Sequence, residues 1–402
     1  MNKTLKRLSL YIHIPFCVRK CLYCDFLSFN ADNDLIDEYF KALGKEIVLN
    51  AGEYADYEVD SIFFGGGTPS FPDAKYICDT LSLIFESFHV SDKAEISLEV
   101  NPASAIFGKL NSYRRAGFNR ISIGAQTLND EELMKLGRVH NASMFYDTYE
   151  NAKRAGFDNI NIDLMSAIPG QSLESYLDTV KKVLSLRPEH ISAYSLIVEE
   201  GTPFYDMELD VPSEDVDRKM YHETKSILAA NGYHRYEISN YALSEDKECH
   251  HNKVYWTRGN YLGLGLGASS MVENVRWKNV SDIKKYIEIF AAKEDKDRNN
   301  VDKADVFVDN FKKYREDVEK LPIKSQMEEF MFLGLRLVRG VSLEEFKNNF
   351  SCDIHEVYAE TIDKYKNMGL LKEYTIDGHT NLCLTDEGID VSNTIMADFL
   401  FD

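Results

Sequence analysis

In the first half of the chain, short runs of β-branched and aromatic residues alternate with longer stretches of helical period. The runs Ser9–Phe16, Asp60–Phe64, Glu95–Val100, Arg120–Ala125, Asn159–Met165 and His190–Ile197 have the composition of strands buried by helices. Between them lie helical patterns at Asp34–Asn50, Ala74–Phe88, Phe107–Ala116, Met144–Ala155 and Leu173–Leu186. Such alternation implies βαβ units and a parallel sheet. An internal echo supports this. Arg115-Ala-Gly-Phe-Asn-Arg-Ile-Ser-Ile123 recurs as Arg154-Ala-Gly-Phe-Asp-Asn-Ile-Asn-Ile162, one helix–strand step further on. Gly117 and Gly156 are the expected helix stops, and Ala230-Asn-Gly-Tyr233 is a weaker third copy. The expected fold is α/β, a partial (β/α)6 TIM-like barrel. In parallel barrels function sits at the C-terminal ends of the strands, and every feature singled out below is expected there.

The texture changes after about Val272. Ser281–Val308 is charged, with Lys-Glu-Asp-Lys-Asp-Arg-Asn-Asn at 293–300, and reads as a solvated helix and linker. From Ser325 the pattern becomes helix (Gln326–Val338), short helix (Ser342–Asn349), helix (Ile354–Met368) and a two-stranded wing. The wing is Leu370–Thr375 and Thr380–Leu384 around Asp377-Gly378, a hairpin signal, and a last helix follows Thr385. This order resembles a winged-helix-like α+β module. The reading divides the chain into a core at 1–240, a connecting region at 241–320 and the C-terminal module at 321–402.

Charge narrows the partners. A net charge of −20 argues against nucleic acid, whose phosphates demand a basic surface. The C-terminal module is therefore read as an accessory or capping domain, not a DNA reader. The amino terminus faintly imitates a signal peptide, but its apolar stretch is short, contains His13 and Pro15 and runs into Arg19 and Lys20. No apolar run is long enough to span a bilayer. A cytoplasmic protein is expected, with peripheral membrane contact left open.

Cysteine placement carries the chemistry. Three of seven cysteines, Cys17, Cys21 and Cys24, fall within eight residues in a CxxxCxxC spacing. Structural zinc sites prefer CxxC pairs with a second pair further on, and none exists here. Disulfides do not suit a chain with no secretion signal. Three thiolates without a fourth suit a [4Fe-4S] cluster that keeps one iron free of protein ligands. That iron can bind and reduce a small molecule.

Tyr11-Ile-His-Ile-Pro-Phe-Cys-Val-Arg-Lys-Cys-Leu-Tyr-Cys-Asp-Phe26 resembles the radical S-adenosylmethionine superfamily. The match narrows to the branch holding oxygen-independent coproporphyrinogen III oxidase and its haem-chaperone relatives. The resemblance implies an open barrel of the radical type, with S-adenosylmethionine chelating the open iron. It implies that Gly66, in Gly65-Gly-Gly-Thr-Pro69, contacts the methionyl amino group, and that Gly67 and Thr68 face a second adenosylmethionine-sized space. A Gly-rich turn after a strand allows such close approach, although alone it is often only a turn. Glu99, Gln126 and Asp163 sit at or near strand ends. Buried carboxylates need partners, and ribose hydroxyls or internal salt bridges would satisfy them. Arg138 has the guanidinium fork that matches a carboxylate. Tyr11 and Tyr23 pack near the ligand or are ordinary core. Ile197, ending the sixth strand, is a further adenine contact implied by the family. The loop Leu262-Gly-Leu-Gly-Leu-Gly-Ala-Ser-Ser270 is read as a close backbone approach near the mouth.

Cys249-His-His-Asn-Lys-Val-Tyr-Trp256 is the other dense cluster. Haem iron accepts His or Cys, which makes His250 and His251 candidates, although adjacent histidines are more often a surface turn. His251-Asn-Lys-Val-Tyr-Trp256 matches the HNxxYW motif of the chaperone branch. Two departures from the oxidase point the same way. Phe26 stands where the oxidase has a further cysteine, and the first cysteine comes too early for the oxidase's long N-terminal extension. The expected function is a haem chaperone that binds the cluster, S-adenosylmethionine and haem. It would pass haem to an acceptor protein and draw on an electron donor. The alternative is the oxidase, which decarboxylates porphyrinogen propionates.

Overall fold

The computed structural model describes residues 5–291, 313–376 and 378–401. The charged run at 293–300 and Asp377 of the hairpin signal lie outside the described residues. Six parallel strands form the centre: β1 (Lys6–Ile14), β2 (Tyr57–Gly66), β3 (Val90–Val100), β4 (Arg120–Gln126), β5 (Ile160–Ser166) and β6 (His190–Ser195). They neighbour one another in sequence order. Helices α1 (Asn33–Glu53), α2 (Ala74–Ser87), α3 (Phe107–Ala116), α4 (Asp130–Lys135), α5 (Ala142–Arg154), α6 (Leu173–Leu186) and α7 (Glu214–Ala230) lie along the chain between and after them. The arc does not close. Strand β7 (His234–Arg235) and β8 (Asn240–Ala242) extend it antiparallel beyond β6. A short helix, α8 (His250–Trp256), precedes β9 (Tyr261–Leu264), which runs parallel outside β1. Strands β10 (Ser269–Val272), β11 (Val275–Asn279) and β12 (Arg315–Lys320) continue antiparallel from there, with α9 (Ile283–Ala291) between the last two.

Strand alternation divides the sheet into two unlike faces. Leu8, Leu10, Ile12, Ile62, Phe64, Ile96, Leu98, Ile121, Ile123, Ile160, Ile162 and Ile191 belong to the main apolar core with the helices. The alternate positions, among them Ser9, Ser61, Glu95, Ser97, Arg120, Ser122, Asn161, His190 and Ser192, are buried and polar or lie at the polar interior. Helix stops recur at the three echo sites with one shared bond. The N–H of Phe118, Phe157 and Tyr233 donates to the carbonyl of Tyr113, Ala152 and Leu228 respectively. This is the long bond of a Schellman ending.

A second apolar core gathers Phe330, Phe346, Ile362, Leu382 and Phe399. Its helices are Ile323–Gly334, Leu343–Phe350 and Ile354–Asn367, and its hairpin strands are Leu371–Ile376 and His379–Leu384. Helix–helix–helix–wing is the order read from the sequence.

The Gly-rich loop after β9 is a close approach, packed beside the C-terminal end of β1 against His13 and Leu27. Gly265 has φ 101°, and a Cβ there would meet the Tyr39 hydroxyl at 2.5 Å and the His13 carbonyl at 2.8 Å. Its N–H donates to the buried Glu46 carboxyl at 2.8 Å, which also accepts from Asn279 at 2.6 Å and from Tyr286. Gly265→Ala therefore has neither the space nor the backbone region it needs. It should cost about 2–4 kcal/mol, read as a lower urea midpoint with an unchanged slope.

Candidate functional site

The loop that follows β1 carries the three cysteines and is tied down along its length. Cys17 N–H donates to Phe29 O at 3.0 Å, and Thr68 N–H donates to Phe16 O at 2.9 Å. Leu22 N–H donates to Leu136 O at 3.1 Å, and Phe204 N–H donates to Leu22 O at 3.0 Å. Leu22 and Tyr23 also pack on a small apolar cluster of Leu136, Met165, Ile168 and Phe204. Arg19 donates to the Gly137 carbonyl at 2.9 Å. Loops from four strand ends thus hold one cysteine loop.

Cys17, Cys21 and Cys24 line an open cavity at the C-terminal ends of the strands. Tyr23, Gly66, Gly67, Thr68, Glu99, Gln126, Arg138 and Asp163 line the same cavity. Eight of the twelve expected cofactor-binding residues therefore meet the sulfurs. Gly66 is required by geometry: φ is 111°, and a Cβ would lie 2.5 Å from the His13 ring.

The electrostatics divide the wall. Burial pushes the Cys17 thiol up and the Cys24 thiol up to about 11. Arg138 supplies positive charge beside the sulfurs, donating to Cys21 Sγ at 3.7 Å and to Gly124 O at 2.6 Å. Opposite them, burial and the neighbouring Asp163 charge raise the Glu99 carboxyl to about 8. Glu99 accepts one backbone bond, from Gly66 N–H at 3.3 Å. Asp163 is raised by burial against the pull of donors from Ser122 and Asn161. Gln126 adopts φ 66° and accepts from the Tyr194 hydroxyl at 2.9 Å. Glu99, short of donors, and Asp163 share the cavity wall with a cation and three thiols. This suits a ligand with hydroxyls at one end and a carboxylate at the other.

Among the described residues, no three His, Cys, Asp or Glu side chains are grouped to hold a single metal ion.

Comparison with known proteins places this arrangement. The model of the radical SAM superfamily matches residues 11–183, and that of the HemN C-terminal domain matches residues 321–391. The chain is 36% identical over 401 residues to the "Heme chaperone HemW" of Lactococcus lactis, covering 98% of this chain and 97% of that protein. It is 34% identical to the HemW of Bacillus subtilis over 98% and 99%. The chain belongs to the HemW family of radical SAM proteins. HemW of Escherichia coli is 37% identical over 67% of this chain and 71% of its own. The solved coproporphyrinogen III oxidase (HemN) of Escherichia coli superposes with a TM-score of 0.81 over 99% of this chain and 91% of that one. At 23% identity it shows a shared fold.

The HNxxYW segment of this HemW chain is not at the mouth. It forms α8, which packs against the earlier part of β2 and β3. His251 is 1% exposed, and both ring nitrogens are engaged, with Ser61 Oγ at 2.8 Å and Tyr255 Oη at 2.9 Å. Ser61 lies five residues before Gly66 on β2, or about 16 Å along a strand. Glu95, half-buried, accepts the N–H of His250 at 2.9 Å and of His251 at 3.3 Å. The expectation that every feature gathers at the strands' C-terminal ends therefore fails for this motif. The reason is that His251 and Tyr255, four apart on one helix, satisfy the polar inner face of the sheet. His250 is the more accessible imidazole, with Nε2 3.3 Å from Asp60. Burial holds the His251 imidazole down at about 4, while Asp60 raises that of His250.

Two further expectations shift. β6 ends at Ser195, so Ile197 lies in the following loop, 68% exposed and outside the cavity lining. Tyr11 is buried and sits below the cavity floor, its hydroxyl 3.1 Å from His13 Nδ1. Sequence reasoning missed Ser122, Gly124 and Tyr194, which line the cavity. The every-second-residue polar pattern of β4 and β6 was the available signal. It also missed Lys109, whose ammonium donates to the Ser70, Phe71 and Pro72 carbonyls at 2.7, 3.0 and 2.7 Å and so fixes the Gly-rich turn from behind. A lysine in a helix carries no sequence sign of that.

Glu99 gives a signed pH test. Its folded value of about 8 lies above the unfolded value near 4.5, so the folded state holds the extra proton between them. Stability should fall as pH rises through that window, by on the order of 5 kcal/mol at most. Glu99→Gln should flatten the fall, which thermal unfolding of ligand-free protein between pH 5 and about 8.5 would measure.

Proposed function

We propose that the chain is a haem chaperone that holds a [4Fe-4S] cluster and S-adenosylmethionine at the mouth of its barrel and carries haem to an acceptor protein. The observation that carries this reading is the near full-length similarity to HemW proteins. Cys17, Cys21 and Cys24 are the cluster ligands. Arg138 takes the ligand's carboxylate, Gly66 its amino group, and Glu99, Asp163 and Gln126 its ribose and base side. When bound, the cluster would supply one electron for opening the sulfonium. The residues of this chain bind and orient the nucleotide, and the clamped cysteine loop keeps water from the sulfurs' inner side. A separate electron donor protein serves the cluster.

Haem is the cargo. The structure supports His250 over His251 as the iron's protein ligand, because His251 has no free ring nitrogen and is enclosed. His250 gains a ligand's freedom by leaving Asp60.

Anaerobically reconstituted protein should take up haem, with a Soret band, and release it to an apo-haemoprotein. Cys17→Ala, Cys21→Ala and Cys24→Ala should each abolish the cluster absorption. His250→Ala should weaken haem binding about tenfold or more, whereas His251→Ala should chiefly lower the melting temperature. Formation of decarboxylated product from coproporphyrinogen III, with reductant and adenosylmethionine, would replace the chaperone reading with the oxidase.

A further inference from the structure

A single hydrogen-bonded chain crosses the interior of the barrel, from the wall of the mouth cavity to the first residue before α8. The bond directions follow from the donors available. The Cys249 N–H donates to the Tyr236 hydroxyl oxygen at 3.2 Å. Asn161 Oδ1 can only accept, so His190 Nδ1, at 2.6 Å, carries the proton. His190 is 0% exposed and its imidazole is held neutral by burial, so Nε2 is an acceptor. The Tyr236 hydroxyl, 2.9 Å away, must donate to it. Asn161 Nδ2 donates to Asp163 Oδ1 at 2.7 Å and to Ser122 Oγ at 2.7 Å, and Ser122 donates on to Asp163 Oδ2 at 2.9 Å. Every proton in the series points the same way, toward the Asp163 carboxylate.

We propose that Tyr236 and His190 are positioning residues that couple ligand binding at Asp163 to the setting of the helix His250–Trp256. The inference rests on the cavity reading above and deepens it. A chain of bonds with one direction is mutually polarised, and its strength depends on the anion at its end. Nucleoside hydroxyls that donate to Asp163 draw its negative charge away from Asn161 and Ser122. Each bond behind them weakens, ending with the one that holds Cys249 N–H. The adjacent amides of His250 and His251 rest on Glu95, and Cys249 Sγ is 3.5 Å from the same carboxylate. Loosening Cys249 therefore loosens the start of the motif helix. By linkage, a group that binds the loosened helix binds more tightly when the nucleotide is present.

The test is amide hydrogen exchange at Cys249, His250 and His251 in the anaerobically reconstituted full chain, with and without S-adenosylmethionine. Nucleotide binding is followed separately by the EPR spectrum of the reduced cluster. Exchange at these amides should quicken about fivefold or more on binding. Tyr236→Phe removes one oxygen from the middle of the chain and should erase the response while the EPR change remains. Tyr233→Phe removes a hydroxyl of the same kind, one that is buried, donates to the Pro188 carbonyl and lies outside the chain, and should keep the response. Bound nucleotide with unchanged exchange in the wild type would overturn the coupling, as would a response that survives Tyr236→Phe or is equally lost in Tyr233→Phe. Absence of any EPR change would overturn the cavity reading and the coupling together. Haem takes no part, so failure to bind haem would count against the chaperone reading alone.

Discussion

A parallel sheet whose concave face is polar must satisfy every buried donor and acceptor on that face, and this requirement organises the molecule. Ser9, Ser61, Glu95, Ser122, Asn161, His190 and Ser192 all lie inside, where an unpaired group costs about 1–3 kcal/mol. Ser61 meets His251, Glu95 meets the amides at the start of α8, and His190 meets Tyr236. A short helix with two facing polar side chains and free N-terminal amides is what that face needs. The HNxxYW segment supplies it and so works as the stopper of the barrel's interior.

Most of the fold was legible because the strands and helices carry strong periodicities. All six expected strands are present, and the echo at Gly117 and Gly156 extends to a third copy with the same terminal bond. The mouth cavity was legible because cysteine spacing and strand-end acids are local signals. Ile197 was misplaced because β6 stops two residues sooner and the chain turns away, which an apolar residue in a run does not reveal. Misplacement of His251 has a different origin. Nothing in a local motif states which end of a barrel it will meet. Arg120, 2% exposed, escaped notice for the same reason, since its surroundings come from Glu95, Cys249 and Asp163 on other elements.

The alternating pattern itself held more than was read from it. Arg120-Ile-Ser-Ile-Gly-Ala-Gln126 and His190-Ile-Ser-Ala-Tyr-Ser195 place a polar or small residue at every second position. That is the signature of a half-polar strand, yet both faces are buried. Such a pattern in a parallel sheet says that something polar fills the concave side. Here it is partly α8 and partly the space left for a ligand.

The two ends of the barrel therefore share one interior. At the mouth, Glu99 has one donor and is raised by burial and by the Asp163 charge, while Asp163 is raised by burial against the pull of several donors. At the other end, Glu95 has two backbone donors and the nearby Arg120 charge, which together hold its carboxyl below the usual range against the cost of burial. The same residue type, as Glu95 and Glu99, is thus held below its ordinary range at one end and above it at the other, and what separates the two is the number of backbone donors each accepts, two against one. The bonded series across the interior runs from the first end to the second and ends on Asp163, the charge beside Glu99.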